Sequence, residues 1–561
     1  MLQINTGKLF TLEIGRTNLL RGVLYSNFEL PGNEPIHTKA GSLLPTNTLG
    51  RGNELIFEMQ ERIELTPSGP GVLVSHGVSP YLNDFCTLMS FGLNGIASAD
   101  AATTQRLTNG TAGLFSYDPP TSYISRCFDK RITLNHREIE DFILFVDELL
   151  ALDRKSFLAA MRAIRTYVAS VHRLSDDLAL SYTLMVSAVE SLAQKFDGYT
   201  STWDDIDEKK TRKIDTVLRR APQKLANEVR DAIVEGEHGA LSRRYRHFIL
   251  SHIDKAYFRP PNAISGAISR NELEEALKQA YGIRSRYIHS SEALSDNLAH
   301  PFGHLEVTNI DRRPALTFQG LSRVTRHAIR RFVATGRTVE REQYDYSLER
   351  SGIMVAELAS HLWIWKPVGK TGELRGRLEG FLSQLTDAMS GSKQPITDIR
   401  SVLSDVERLM PKAPKRDKPA MIALYALFNS IAPIDKKMPN SDKFLEKHQD
   451  IDEKSPETLV LRTYWNNFTD WTLETHCSSF ERYLENRSKP GGLHAPKLFD
   501  AAMALALAER YRQAGDPKTA LEIISVAVDN LPGHQPLLEF ESQFCETAPI
   551  VWRDILFTKA N

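Results

Sequence analysis

The chain has 561 residues, with 69 Lys and Arg against 70 Asp and Glu and a formal net charge of −1. That balance excludes a chain that holds nucleic acid as a generic polycation, so any such site must be a local basic patch. A hydrophobic fraction of 42% and a charged fraction of 25% are ordinary for globular proteins and support a sizeable core.

Length predicts more than one domain, and pattern divides the chain in three. Residues 1–140 read as β-rich. Phe10, Leu12 and Ile14 alternate with polar neighbours. Leu55, Phe57, Met59, Ile63 and Leu65 keep the same period of two, with Glu61 breaking the row. Pro31-Gly32-Asn33 and Pro67-Ser68-Gly69-Pro70 mark turns between them. Leu82–Ala99 shows no clean period. This region carries no recognisable catalytic motif, and a sensing, regulatory or structural role is open.

Residues 141–340 read as helical. From Leu178 to Gln194 the stripe Leu178, Tyr182, Met185, Val189 and Leu192 runs at helical spacing, and Glu190 is the sole charge in it. A helix so poor in charge is buried on most sides, and a buried carboxylate needs a partner. Further on, Ser269 and Glu272 form a capping-box pattern. Leu273, Ala276, Leu277, Ala280, Arg284 and Ile288 then recur on one helical line. Arg284 is a misfit cation on that line, so Glu190 and Arg284 are expected to pair.

Arg284 and His289 are the candidate catalytic residues. A histidine moves protons near neutral pH, and an arginine offers a phosphate fixed bidentate donors. Glu190, Ser285 and Arg286 are the supporting residues. On the last helix of this region, Leu321, Val324, Ala328, Ile329 and Phe332 form the apolar side. Arg323, Arg326 and Arg330 form a basic stripe, read either as a solvated face or as an RNA-binding surface that steers phosphate. Asp204, Asp205, Asp207 and Glu208 temper the basic character of the region. His300 and His304 frame a Pro-Phe-Gly loop without evident carboxylate or cysteine company, so no metal site is expected.

Residues 341–561 read as helical, interrupted at Pro411–Pro419 and Met438-Pro439-Asn440. Gly369-Lys370-Thr371 is not a phosphate loop, because Ile364 stands where such a loop needs glycine. At 497–535, Leu507, Ala508, Tyr511, Ala520, Ile524, Ala527 and Pro532 fall at tetratricopeptide spacings. That pattern predicts two antiparallel helices turning at Gly515-Asp516, packed on the helices before them, with a protein partner as a further expectation.

The N-terminal pentapeptide Met1–Asn5 has no secretion-signal pattern. No apolar run is long enough to span a bilayer. Cys86, Cys127, Cys477 and Cys545 are far apart, without metal-ligand spacing. The expectation is a cytoplasmic protein with free thiols, no membrane partner and no cofactor.

Two segments together carry a resemblance. Val189-Glu190-Ser191-Leu192 closes one helix, and Arg284-Ser285-Arg286-Tyr287-Ile288-His289 closes a later one. Over roughly 150–340 the chain resembles the HEPN superfamily, and most closely its ApeA-like branch. The chain departs from the wider pattern at Ser285, where Asn, Asp or His is usual, and at Ser290, where glycine commonly follows the histidine. The resemblance implies a helical bundle that dimerises and cleaves RNA without metal, as a toxin-like effector of prokaryotic antiphage defence. It equally accommodates members that have lost activity and serve as dimerising or RNA-holding scaffolds. The expected fold class is therefore α+β: a β-rich domain at 1–140, a HEPN-like bundle at 141–340 and a repeat-like helical region at 341–561.

Overall fold

A computed structural model describes residues 1–46, 53–65, 75–112, 118–196, 198, 202–203, 206, 208–236, 241–260, 264, 266–346, 349, 358–448 and 454–557. The Pro67–Pro70 turn and the carboxylates Asp204, Asp205 and Asp207 lie outside the described residues. The fold is α+β, with the main sheet near the N-terminus and helices thereafter. The chain divides into two compact units, Met1–Val355 and Ala356–Asn561.

The first unit holds strands β1 (Ile14–Ser26), β2 (Phe28–Glu29), β3 (Ile36–Thr38), β4 (Gly41–Pro45), β5 (Asn53–Glu64), β6 (Ala97–Ser98), β7 (Ile132–Thr133), β8 (Val307–Ile310) and β9 (Arg313–Leu316). Its helices are α1 (Ser79–Leu93), α2 (Ala101–Thr108), α3 (His136–Ala151), α4 (Arg154–Arg173), α5 (Leu178–Phe196), α6 (Glu208–Leu218), α7 (Gln223–Gly236), α8 (Leu241–Ser251), α9 (Arg270–Ser290), α10 (Asp296–Ala299) and α11 (Phe318–Thr335). An antiparallel sheet runs in the order β3-β4-β5-β1-β6, and β1 pairs with β5 from Ile14↔Glu64 to Ser26↔Asn53.

In β5 the row Leu55, Phe57, Met59, Glu61 and Ile63 is buried throughout, while Gln60 and Arg62 are exposed. Glu61 therefore does not break the row. It stays inside because its carboxylate accepts from Ser75 Oγ (2.6 Å), the His76 amide (2.9 Å), Tyr81 Oη (3.2 Å) and Asn18 Nδ2 (3.2 Å), which satisfy a buried charge. The alternation at Phe10–Ile14 marks a strand too early. β1 begins at Ile14, and Phe10 instead packs on Tyr346 with ring centroids 5.8 Å apart.

The boundary expected near residue 140 is not a break in the packing. Leu82–Ala99 is mostly α1, and its apolar residues are buried nearly all round the helix, which erases a one-sided stripe. Phe85 of α1 stacks on Phe57 of β5 (4.4 Å) and meets Phe142 of α3 edge-on (6.1 Å). Phe91 meets Tyr167 of α4 edge-on (5.4 Å). A single core thus runs from Leu2 through the sheet and α1 to Val333 of α11.

The second unit is built of helices α12 (Leu374–Met389), α13 (Arg400–Leu409), α14 (Lys418–Ile431), α15 (Ser441–Lys447), α16 (Pro456–Trp465), α17 (Leu473–Arg487), α18 (Lys497–Gln513), α19 (Pro517–Asn530), α20 (Gln535–Ser542) and α21 (Trp552–Leu556). α18 and α19 form a helical hairpin that packs on α16 and α17 through α18. Gly515 (φ 80°) makes the turn, and Asp516 caps α19 by accepting from the Thr519 amide at 3.0 Å. Ala508, Ala520 and Ala527 are fully buried.

Candidate active site at the end of α9

Ser269 and Glu272 start α9 as a capping box, with the Glu272 carboxylate accepting from the Ser269 amide at 3.2 Å. Leu273, Ala276, Leu277 and Ala280 then bury against the bundle. The inward line continues through Ile283 rather than Ile288, which is 48% exposed. The helix leaves the core over its last two turns, and that turns Arg284 toward the edge of the apolar face.

α5 supplies the counter-charge. Its stripe Leu178, Tyr182, Met185, Val189 and Leu192 is buried, and so is Glu190. Arg284 Nη2 donates to Glu190 Oε2 at 2.6 Å, and the two side chains are 17% and 5% exposed. The pairing expected from two misfit charges is present. Tyr281, one turn before Arg284, donates to the other carboxylate oxygen at 3.1 Å, and the guanidinium lies 5.5 Å from its ring centroid. Burial first, and then the neighbouring Glu190 carboxylate, push the Tyr281 hydroxyl up to about 12. It therefore donates to Glu190 at every ordinary pH. Sequence reading missed Tyr281, although it lies three residues before Arg284 on the same helical face.

With Nη2 on Glu190, the outer nitrogen Nη1 of Arg284 makes no hydrogen bond among the described residues. Glu190 and Tyr281 thus fix the guanidinium while leaving a donor for an outside oxygen. His289 and Ser290 sit in the exposed last turn, and Ser291 ends the helix in a left-handed conformation (φ 50°), its amide bonded to Tyr287 O at 2.9 Å. The reversal that glycine would make after the histidine is made here one residue later, by serine. Arg286 is exposed and pairs with Glu292 at 3.2 Å. Ser285 is half-buried beside them. Tyr287 Oη lies 3.5 Å from Asp177 Oδ2, at the limit of a hydrogen bond.

The β8–β9 hairpin packs on α9, turning tightly through Asp311 (φ 50°) and Arg312 (φ 63°). Between them lies an open cleft of about 640 Å³, lined among others by Gln279, Ile283, Arg286, Ser295 and Arg313. It adjoins the same helix end.

The other expected residues are placed differently. Arg323 pairs with the fully buried Glu306 through Nη2 (2.8 Å), donates to Tyr257 O (2.8 Å) and stacks over the Tyr257 ring at 3.7 Å. Arg326 donates to Phe91 O at 2.8 and 3.0 Å. Arg330 donates to Gly92 O and Asp141 O, both at 3.2 Å. Arg326 and Arg330 cap the C-terminal carbonyls of α1, and Arg330 also ties α11 to α3. The reading of Arg323, Arg326 and Arg330 as an open RNA-binding stripe is therefore corrected: their donors point inward. His300 does have carboxylate company, at 3.8 Å from Asp118, and His304 Nε2 lies 2.8 Å from Thr121 O. Among the described residues no group of three or more His, Cys, Asp or Glu side chains could hold a metal ion.

Comparison of the chain with protein-family models, with curated proteins and with solved structures finds no match in any of the three.

Proposed function

We propose that the end of α9 is the catalytic edge of a metal-independent HEPN endoribonuclease. The observation that supports this reading most directly is the Glu190–Arg284 pair, which holds a guanidinium at the solvent edge, five residues before an exposed histidine. In the reaction, the ribose 2′-hydroxyl attacks the adjacent phosphorus and expels the 5′-oxygen, leaving a 2′,3′-cyclic phosphate. His289 takes or returns the proton. Arg284 stabilises the phosphorane oxygens through its outward donor. Ser285 and Arg286 orient the phosphate.

Five residues on an ideal helix turn the side chain by about 140°, so Arg284 and His289 of one copy diverge. A twofold pair of copies brings both motifs into one cleft and supplies the second proton-transfer group. The proposal therefore includes a homodimer through the HEPN-like bundle, RNA as substrate, and a toxin-like role in antiphage defence under the control of the rest of the chain.

One observation favours a second reading. His289 has no orienting hydrogen bond among the described residues, whereas a working general base is usually held by another group. In that reading the bundle is an inactive dimerising or RNA-holding scaffold, and the α18–α19 hairpin docks a protein partner. Purified protein incubated with mixed RNA, with and without a chelator, beside a His289→Ala control, separates the two.

A further inference from the structure

The second unit holds a basic cleft that the ribonuclease reading does not use. It measures about 330 Å³ and its lining includes Arg375, Arg416, Arg482, Lys489, Glu457 and Gly491. The cations come from separate segments: α12, the loop before α14, α17 and the Lys489–Gly492 linker.

Arg375 builds the frame. Its Nε and Nη2 meet the Glu457 carboxylate at 3.2 and 3.1 Å, and that carboxylate is 4% exposed. Nη1 donates to Gly491 O, and Nη2 also reaches Arg416 O at 3.3 Å. One guanidinium thus ties three chain segments around the opening, and Gly491 adopts the left-handed φ of 82° that presents its carbonyl. Glu457 neutralises Arg375 and no more.

The remaining cations are open. Arg482 has no ion-pair partner among the described residues. Lys489 contacts the neutral amide oxygen of Asn486 at 3.3 Å. Arg416 is 86% exposed and meets Asp417 at a long 3.5 Å. Tyr483, the aromatic residue in the lining, is buried and donates to Asp500, so it offers no stacking face. The cleft is therefore cationic, small and without a platform for a base. Several donors converging from separate segments suit the multiple oxygens of linked phosphates better than the two of a carboxylate.

We infer that this cleft binds a short polyphosphate group, either as a free anion or as the tail of a nucleotide, through Arg482, Lys489 and Arg416 on a frame set by Arg375. The inference does not rest on the ribonuclease reading.

Isothermal titration of the full chain with sodium tripolyphosphate, at fixed ionic strength and without metal, tests it. A dissociation constant below about 1 mM is expected, as is appropriate to a few charge-assisted bonds. Arg482→Glu and Lys489→Glu alter exposed side chains and should leave the fold intact. Each should weaken binding about tenfold or more, since a donor is replaced by a like charge. Arg286→Glu, at the α9 site, should leave it unchanged. ATP binding within a few-fold of tripolyphosphate supports recognition of the anion alone, and tighter ATP binding supports a nucleotide. Absence of binding overturns the inference, as does binding insensitive to both glutamate variants. So does an Arg482→Glu variant that loses single-stranded RNA while tripolyphosphate fails to compete with that RNA.

Discussion

Arg284→Ala should destabilise the bundle more than any other single change at the candidate site. It removes the closest partner of a carboxylate that is 5% exposed, at 2.6 Å. Breaking a buried ion pair from one side typically costs about 3–5 kcal/mol, because the remaining charge stays buried. Two features reduce that figure. Tyr281 keeps one hydrogen bond to Glu190, worth about 1 kcal/mol or somewhat more. Arg284 is also 17% exposed, so water reaches part of the vacated volume. A loss of about 2–4 kcal/mol remains. Hydrogen exchange in increasing urea, followed on peptides from α5 and α9, reads this locally and does not require the whole chain to unfold in one step. The double variant Glu190→Leu/Arg284→Met removes both charges and should recover more than half of the loss. A loss below about 1 kcal/mol in Arg284→Ala, or no recovery in the double variant, would refute the claim that this pair is the buried electrostatic link of the bundle.

Other outcomes follow from single residues. Arg326→Ala should destabilise the first unit by roughly 1–3 kcal/mol, because Phe91 O loses its side-chain donor while Gly92 O keeps Arg330; an unchanged melting temperature with weakened RNA binding would restore the surface reading. Ala520→Leu should cost about 1–3 kcal/mol by overpacking the fully buried site of Ala520 on α19, and a variant as stable as the parent in thermal unfolding contradicts that packing. His476 stacks on Phe468 at 4.0 Å, and burial first, then Arg510, hold its pKa down to about 3. Its folded pKa lies below the unfolded one, so its contribution is full above about pH 6.5 and is lost as pH falls toward 3. His476→Phe should flatten the acid limb of the second unit's stability between those values, and an unaltered pH profile of unfolding counts against this.

Much of the site was legible because misfit charges are expensive. Glu190 and Arg284 each stood alone on an apolar line, and burial forces such groups together. The Ser269–Glu272 cap was legible because its spacing has one local use. The burial of the small residues Ala508, Ala520 and Ala527 was legible from their repeat spacing. Arg323, Arg326 and Arg330 misled for a related reason: on a helical wheel an arginine that pairs with a buried carboxylate or caps helix-end carbonyls looks the same as one facing water. Phe91 O and Gly92 O, the partners of Arg326, lie more than two hundred residues earlier. Glu61 misled likewise, since its partners come from the following loop and from α1 and β1. The division at residue 140 failed because α1 buries almost all its faces, so no periodicity showed that it joins the sheet to α3.

His289 and Arg284 are proposed to cleave RNA without metal. Purified full-length protein incubated with mixed RNA in EDTA, with the product ends identified by mass spectrometry, tests it most directly. Expected are 2′,3′-cyclic phosphate ends from the parent and a loss of about 10²–10⁴-fold in rate from His289→Ala, with folding intact. Cleavage by His289→Ala at the parent's rate, or parent activity that disappears in EDTA, would contradict it and leave the scaffold reading in its place.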